Sequence, residues 1–344
     1  MTTAAILGAG AMGTASAWIL AQHPDCSVRL WGRNPDYVRQ LAETRENLRL
    51  LPGCVLPPSI RVTSSATEAL DAATVVFWCM PMRGLRDALQ LLGSNVPQQS
   101  LQVSTIKSIE NSTLLRPTEI LAAHLPDSRI AALGGPCHAE EIVRRKPASI
   151  VVASTDAGAA EHIQALMSTE FLRIYANTDL AGVELAAALK NVIAIAAGIC
   201  DGLELGDNAK AALITRGLSE MVRFGSALGA RSATFFGLAG LGDLITTCSS
   251  RHSRNRHVGE RLGRGEPLQS IEQSMAAVAE GVATARSVHQ LAHERGIEMP
   301  IAEQVYRVLF EGRSPREATL ELMNRPLKFE ISDHRTNSAA GNHA

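Results

Sequence analysis

Gly8, Gly10 and Gly13 stand in the order Gly-x-Gly-x-x-Gly, directly after a short apolar run and at the start of a segment with helical apolar spacing. Between a strand and a helix each glycine has its own task. Gly8 permits the tight turn, Gly10 lets the backbone approach a pyrophosphate, and Gly13 allows helix and strand to pack closely. The free N–H groups of the helix start, where Ala11 and Met12 sit, and the positive end of the helix dipole then face the phosphates. A second apolar run ends in Leu30-Trp31-Gly32-Arg33-Asn34. A dinucleotide without a 2′-phosphate usually meets a carboxylate at that tip. Arg33 stands there instead, and a guanidinium can pair with a 2′-phosphate or stack on adenine. The expected cofactor is therefore NADP, with NAD tolerated.

Four further stretches carry unusual polar residues. Lys107 lies in Ser104-Thr105-Ile106-Lys107-Ser108-Ile109-Glu110, just after an apolar run. Gly134-Gly135-Pro136-Cys137-His138-Ala139-Glu140 follows another. Lys190 and Asn191 sit in an otherwise apolar helical turn. Asp243, Thr247, Ser253, Arg254 and Asn255 fall in Gly-Leu-Gly-Asp-Leu-Ile-Thr-Thr-Cys and the Ser-Arg-Asn-Arg that follows it. Reduction of a ketone by hydride needs a proton donor at the developing alkoxide. A lysine whose pKa is lowered by burial can serve, although from its helix alone Lys190 reads first as a snorkelling lysine. Asp243 reads equally as a hydrogen-bond partner or as a helix N-cap. Ser253-Arg254-Asn255 offers a fork, a hydroxyl and an amide at a helix start, a set suited to a phosphate.

The elements that must hold these residues follow from apolar patterning. Short runs at 3–7, 27–31, 74–80, 101–104, 129–133 and 149–153 alternate with helically spaced segments at 12–21, 35–44, 83–92 and 114–123; a helix over 156–168 and a strand over 171–175 follow. Such alternation predicts an α/β domain with a doubly wound, mostly parallel sheet. Beyond it strand signals vanish, and helices are expected at 180–203, 206–229, 255–263, 281–295 and 300–311. The expected organisation is a dinucleotide-binding domain over 1–177, an all-α substrate and catalytic domain over 178–330, and a disordered polar tail over 331–344.

Bulk properties narrow the function classes. Of 344 residues, 46% are hydrophobic and 19% charged, ordinary for a globular protein with sizeable cores. A net charge of −1 and an aromatic content of 4% give no footprint for nucleic acid or an anionic membrane. The six cysteines lie far apart without Cys-x-x-Cys spacing, so neither a metal site nor a disulfide framework is expected. Reduced thiols and the lack of a basic, signal-like N-terminus point to a cytoplasmic protein. The apolar stretch over 181–200 is interrupted by Glu184, Lys190 and Asn191, which favours a buried helix over an integral membrane segment.

Taken in order, these motifs resemble the bacterial-type NAD(P)-dependent glycerol-3-phosphate dehydrogenases, over about residues 4–325. The resemblance implies a Rossmann domain followed by a helical domain. It implies interconversion of sn-glycerol 3-phosphate and dihydroxyacetone phosphate, which supplies phospholipid synthesis, and a homodimer. It implies Lys190 as general acid/base, Lys107 as positive charge at the substrate oxygen, and Asp243 as partner of Lys190 or of a substrate hydroxyl. Substrate contacts would also come from Gly135, Cys137, Asn191, Thr247, Ser253, Arg254 and Asn255. Cofactor contacts would come from Gly8, Gly10, Ala11, Met12, Gly13, Arg33, Lys107, Ala139, Arg254, Val278 and Glu280. The alternatives are a related 3-hydroxyacid or 6-phosphogluconate-type dehydrogenase, which the Ser253-Arg254-Asn255 block disfavours, and a non-catalytic dinucleotide sensor. The chain departs from the pattern in several places. Ala11-Met12 replaces a Ser-Trp or Asn-Trp pair, Met80-Pro81-Met82 a Val-Pro-Ser type, and Ser108 a glycine. Cys137 stands for a Ser or Thr, and His138 for a Phe.

Overall fold

The computed structural model describes residues 2–275, 277–327 and 329–330; the tail at 331–344 lies outside them. Strand β1 (Thr2–Leu7) turns at Gly8 into helix α1 (Ala11–Leu20). There follow β2 (Cys26–Trp31), α2 (Pro35–Thr44), β3 (Arg61–Thr63), α3 (Ala66–Leu70), β4 (Val75–Trp78), α4 (Leu85–Leu92), β5 (Leu101–Ser104) and α5 (Pro117–His124). The unit closes with β6 (Ile130–Gly134), α6 (Ala139–Ile142), β7 (Ala148–Ala153), α7 (Ala157–Met167) and β8 (Leu172–Asn177). All eight strands form one sheet in the order β3-β2-β1-β4-β5-β6-β7-β8. Every neighbouring pair is parallel except the antiparallel β6–β7. Strand β4 is buried throughout, as a strand covered by helices on both faces must be. The sheet reverses direction of growth between β1 and β4, and the crevice beyond their carboxyl ends is where open α/β sheets take ligands.

The α/β class and mostly parallel sheet are those expected. Two details differ. The short β3–α3 unit has too few apolar residues to give a period, and it forms because β3 completes the sheet edge beside β2. Helix α5 starts at Pro117, not at 114, because proline is accepted only in a first turn and Leu114 is in the left-handed region at φ 61°.

The remainder is helical: α8 (Leu180–Gly202), α9 (Gly206–Ala227), α10 (Ser232–Phe236), a π-type turn over Leu238–Gly242, α11 (Asp243–Ser249), α12 (Arg254–Gly263), α13 (Leu268–Ser274), α14 (Glu280–Arg295), α15 (Pro300–Phe310) and α16 (Pro315–Met323). Helix α8 is the axis of this part. It is apolar on all sides, and its length and composition would suffice to cross a membrane, yet it is buried inside the fold. Asp179 caps it by accepting from Gly182 N–H at 3.0 Å, and the same carboxylate takes Arg231 N–H at 2.9 Å.

Helices α8 and α12 meet along a glycine seam. Gly198 and Gly202 of α8 face Gly259 and Gly263 of α12, one turn apart on each. A Cβ on Gly198 would lie 1.9 Å from the Arg256 carbonyl, and one on Gly259 would lie 1.9 Å from the Ile195 carbonyl. Only helices without side chains there can touch backbone to backbone. The seam sets the start of α12, with Ser253 and Arg254, close to the turn of α8 that carries Lys190 and Asn191.

Candidate active site

The glycine loop has the shape a pyrophosphate requires. A Cβ on Gly8 would lie 2.3 Å from the Cys79 carbonyl oxygen, and one on Gly13 would lie 1.9 Å from the Gly8 carbonyl. Above Gly10 nothing lies within 4 Å, so the backbone there is open to a ligand. Ala11 and Met12 form the first turn of α1, whose cap Gly10 offers no side-chain bond to the free N–H groups. A cleft of about 430 Å³ runs outward from Gly8 between Trp31, Arg33, Met80 and Asp87. Arg33 is exposed at its rim, 3.7 Å from the Asp87 carboxylate. The open backbone at Gly10 and the cleft that reaches Arg33 therefore fit a dinucleotide.

Lys107 lies in the loop after β5, Lys190 in the middle of α8, and Asp243 at the first position of α11. The fold brings all three together. Lys190 Nζ donates to Asp243 Oδ1 and, at 2.7 Å, to Thr247 Oγ1 one helical turn further on. Lys107 Nζ donates to Asp243 Oδ2 at 2.8 Å, to the Gly135 carbonyl at 3.0 Å and to Cys137 Sγ at 3.1 Å. Asp243 does not act as a side-chain N-cap. The π-type turn runs straight into α11, Gly242 holds the cap position, and the carboxylate is spent on the lysines. Gly135 reaches its position at φ +99°, which turns its carbonyl to Lys107.

The electrostatics separate the two lysines. Burial pulls Lys190 down to about 8, and the neighbouring Lys107 adds to the drop while Asp243 opposes it. Burial also pulls on Lys107, but Asp243 and the Cys137 sulfur outweigh it and hold Lys107 above the ordinary lysine range. Burial would raise Asp243, yet the two ammonium groups keep it below the usual carboxylate range. The two cations share one anion, and burial lowers Lys190 while Asp243 and Cys137 raise Lys107, so the same site pushes the two lysines in opposite directions. One permanent positive charge thus stands beside one titratable group near neutral pH.

A hydrogen-bond chain fixes this centre across the two parts of the molecule. Asn191 Nδ2 donates to the Lys107 carbonyl at 2.9 Å. Asn255 Nδ2 donates to Asn191 Oδ1 at 2.8 Å, and Asn255 Oδ1 accepts Gly281 N–H at 2.9 Å. Both amide ends of Asn255 are therefore engaged within the protein. Ser253 caps α12 by accepting Arg256 N–H at 3.2 Å. Arg254 is exposed beside it and donates to the Val278 carbonyl at 2.7 Å. Glu280 accepts Met82 N–H at 3.2 Å, tying α14 to the segment after β4. Burial raises its pKa, against the pull of that N–H and of Arg254. Ala139 is buried at the first position of α6.

Sequence reasoning missed several members of this assembly. Ser108 Oγ pairs with Thr284 Oγ1 at 2.8 Å, so the serine that replaces a glycine has a partner on α14. The rings of His138 and His252 lie against each other, tilted, with centroids 5.9 Å apart. Neither pairing has a local signal, because the partners lie over 100 positions apart in the chain.

Comparison with known proteins agrees with this architecture. The family model described as NAD-dependent glycerol-3-phosphate dehydrogenase N-terminus matches residues 3–160, and its C-terminus counterpart matches 179–320. The chain is 46% identical over 330 residues to glycerol-3-phosphate dehydrogenase [NAD(P)+] of Chlorobium limicola, covering 95% of this chain and 99% of the relative. It is 45% identical over 336 residues to the protein of that name from Geobacillus thermodenitrificans, covering 97% and 98%. The crystal structure of glycerol-3-phosphate dehydrogenase from Coxiella burnetii superposes with a TM-score of 0.90 at 35% identity, covering 94% of this chain and 99% of that one.

Proposed function

The chain belongs to the NAD-dependent glycerol-3-phosphate dehydrogenase family, and from that membership we infer both its reaction and the residues that perform it. It is an oxidoreductase that interconverts sn-glycerol 3-phosphate and dihydroxyacetone phosphate with NAD(P)H. When bound, the nicotinamide supplies or takes up the hydride at substrate C2. The observation that carries the assignment of roles is the buried Lys107–Asp243–Lys190 cluster, which joins the loop after β5 to helices α8 and α11.

Lys190 is the proton donor to the developing alkoxide and, in reverse, the base that accepts the hydroxyl proton. Asp243 and Thr247 hold its ammonium in one direction. Lys107 keeps its charge throughout and stabilises the same oxygen in the transition state. Gly135 and Cys137 position Lys107, and both would contact the substrate. Arg254 supplies the charge for the substrate phosphate from the start of α12, with Ser253 shaping that turn. Asn191 and Asn255 keep the α12 start in register with the Lys107 loop. Gly8, Gly10, Ala11, Met12 and Gly13 would hold the pyrophosphate, Arg33 the adenosine end, and Ala139, Val278 and Glu280 the nicotinamide side.

We further propose a cytoplasmic homodimer that supplies glycerol 3-phosphate for phospholipid synthesis, to be checked by light scattering and cell fractionation. The deciding experiment for the reaction is oxidation of NADPH and NADH by purified protein with dihydroxyacetone phosphate, followed at 340 nm. Turnover with both cofactors is expected. Tight NADPH binding without turnover of this ketone would overturn the reading in favour of a dinucleotide sensor.

A further inference from the structure

We propose that His138 is a specificity-determining residue whose imidazole contacts the phosphate end of the substrate. The proposal rests on the glycerol-3-phosphate dehydrogenase reading above. His138 holds the N-cap position of α6, but only its backbone caps the helix: its carbonyl accepts Glu141 N–H at 3.0 Å and its side chain makes no cap bond. The ring is free for another task. Its Nε2 is buried and has no hydrogen-bond partner. The ring faces His252, centroids 5.9 Å apart and planes inclined at 50°. His252 immediately precedes Ser253, the cap of α12, and Arg254, the residue assigned to the substrate phosphate. His138 thus stands between the lysine pair, where the ketone reacts, and the start of α12.

A buried imidazole nitrogen without a partner is costly, whereas a hydrogen bond to a charged oxygen is among the stronger ones a site can offer. A phosphate oxygen supplies that partner. The charged groups near enough to act on His138 are Lys190 on α8, Lys107 after β5, Asp243 on α11, and Glu140 on its own helix. Burial and the two lysines hold the imidazole below its ordinary pKa, while the two carboxylates pull the other way. A phosphate dianion brought to the ring opposes the lysines and strengthens its hold on a proton. A phenylalanine at this position would keep the ring volume and lose the donor.

The test compares wild type with His138→Phe and His138→Gln, using NADPH with dihydroxyacetone phosphate or with dihydroxyacetone, which lacks the phosphate. NADPH binding by fluorescence checks that each variant is folded. His138→Phe is expected to raise KM for the phosphorylated ketone about ten-fold with kcat within about two-fold, as for loss of a hydrogen bond to a charged group. kcat/KM for dihydroxyacetone should stay unchanged. His138→Gln, which keeps a donor, should recover much of the lost affinity. An unchanged KM in both folded variants would overturn the proposal. Equal losses with both ketones would also overturn it, since the ring would then act at the reacting centre. A wild type that binds NADPH but reduces neither ketone would instead overturn the functional reading on which the proposal rests.

Discussion

Lys190 sits among alanines, leucines and isoleucines, and its surroundings are what make it titratable near neutrality. Replacing it by alanine should cut turnover by ~10²–10⁴-fold, the usual cost of losing a positioned acid or base; fluorescence titration should find NADPH affinity kept. The direction of the pH dependence follows from the proton. Ketone reduction needs Lys190 charged, so its rate should fall as pH rises through about 8. Alcohol oxidation needs the free amine, so its rate should rise through the same range, and initial rates in both directions between pH 6 and 10 check this. Gly10→Ala separates cofactor binding from folding. Gly10 is at φ −79° with open space above it, so alanine fits the backbone but its methyl enters the phosphate position. Unaltered melting with a markedly raised KM for NADPH is the expected result. Arg33→Ala should lower the preference for NADPH over NADH, read as the ratio of kcat/KM values. At this scale the residue types were legible: Lys107, Lys190, Asp243 and Arg254 stood out as polar groups in apolar or glycine-rich settings. The Lys190–Asp243 pairing was implied by the resemblance and is present; what escaped was that the same carboxylate also holds Lys107. One carboxylate shared by two lysines, 136 and 53 positions away, leaves no periodic trace.

Elements were legible in proportion to their length. The long helices α8, α9, α14 and α15 carry several turns of apolar spacing, and their limits fall within two residues of those read from the sequence. Short pieces such as β3, α3, α10 and the π-type turn carry less than one period. They form because neighbours demand them, the π-type turn to deliver Asp243 to the lysines. The glycine seam has no meaning within either helix alone, because it depends on two helices facing each other. Gly259→Ala tests it. The added methyl would meet the Ile195 carbonyl, and overpacking of this kind costs roughly 1–3 kcal/mol or more. The variant should melt earlier, and because α12 carries Arg254, KM for dihydroxyacetone phosphate should rise more than KM for NADPH.

For the molecule as a whole, division of labour between sheet and helices followed from the change of pattern near Asn177. The clasps between them, Glu280 to Met82 and Ser108 to Thr284, did not, since they depend on how the two parts dock. Global stability carries one pH term of its own. Glu220 on α9 accepts the N–H groups of Ile301, at 2.7 Å, and Ala302, at 3.2 Å, at the start of α15, and burial lifts its pKa to about 7. Its folded pKa exceeds the unfolded one, so the stability it contributes falls as pH rises from about 4.5 to about 7. Melting curves between pH 4.5 and 8 should show a decline in wild type relative to Glu220→Gln over that interval. The burial of α8 also bears on how the chain is made. At a synthesis rate of ~5–20 residues per second, its partner α12 follows it by several seconds. Throughout that interval a helix of mean hydropathy 1.8 is outside the ribosome with nothing to cover its seam. Nascent chains stalled between α8 and α12 are therefore the species on which a holdase chaperone or an insertion machinery would act, and the completed protein is not.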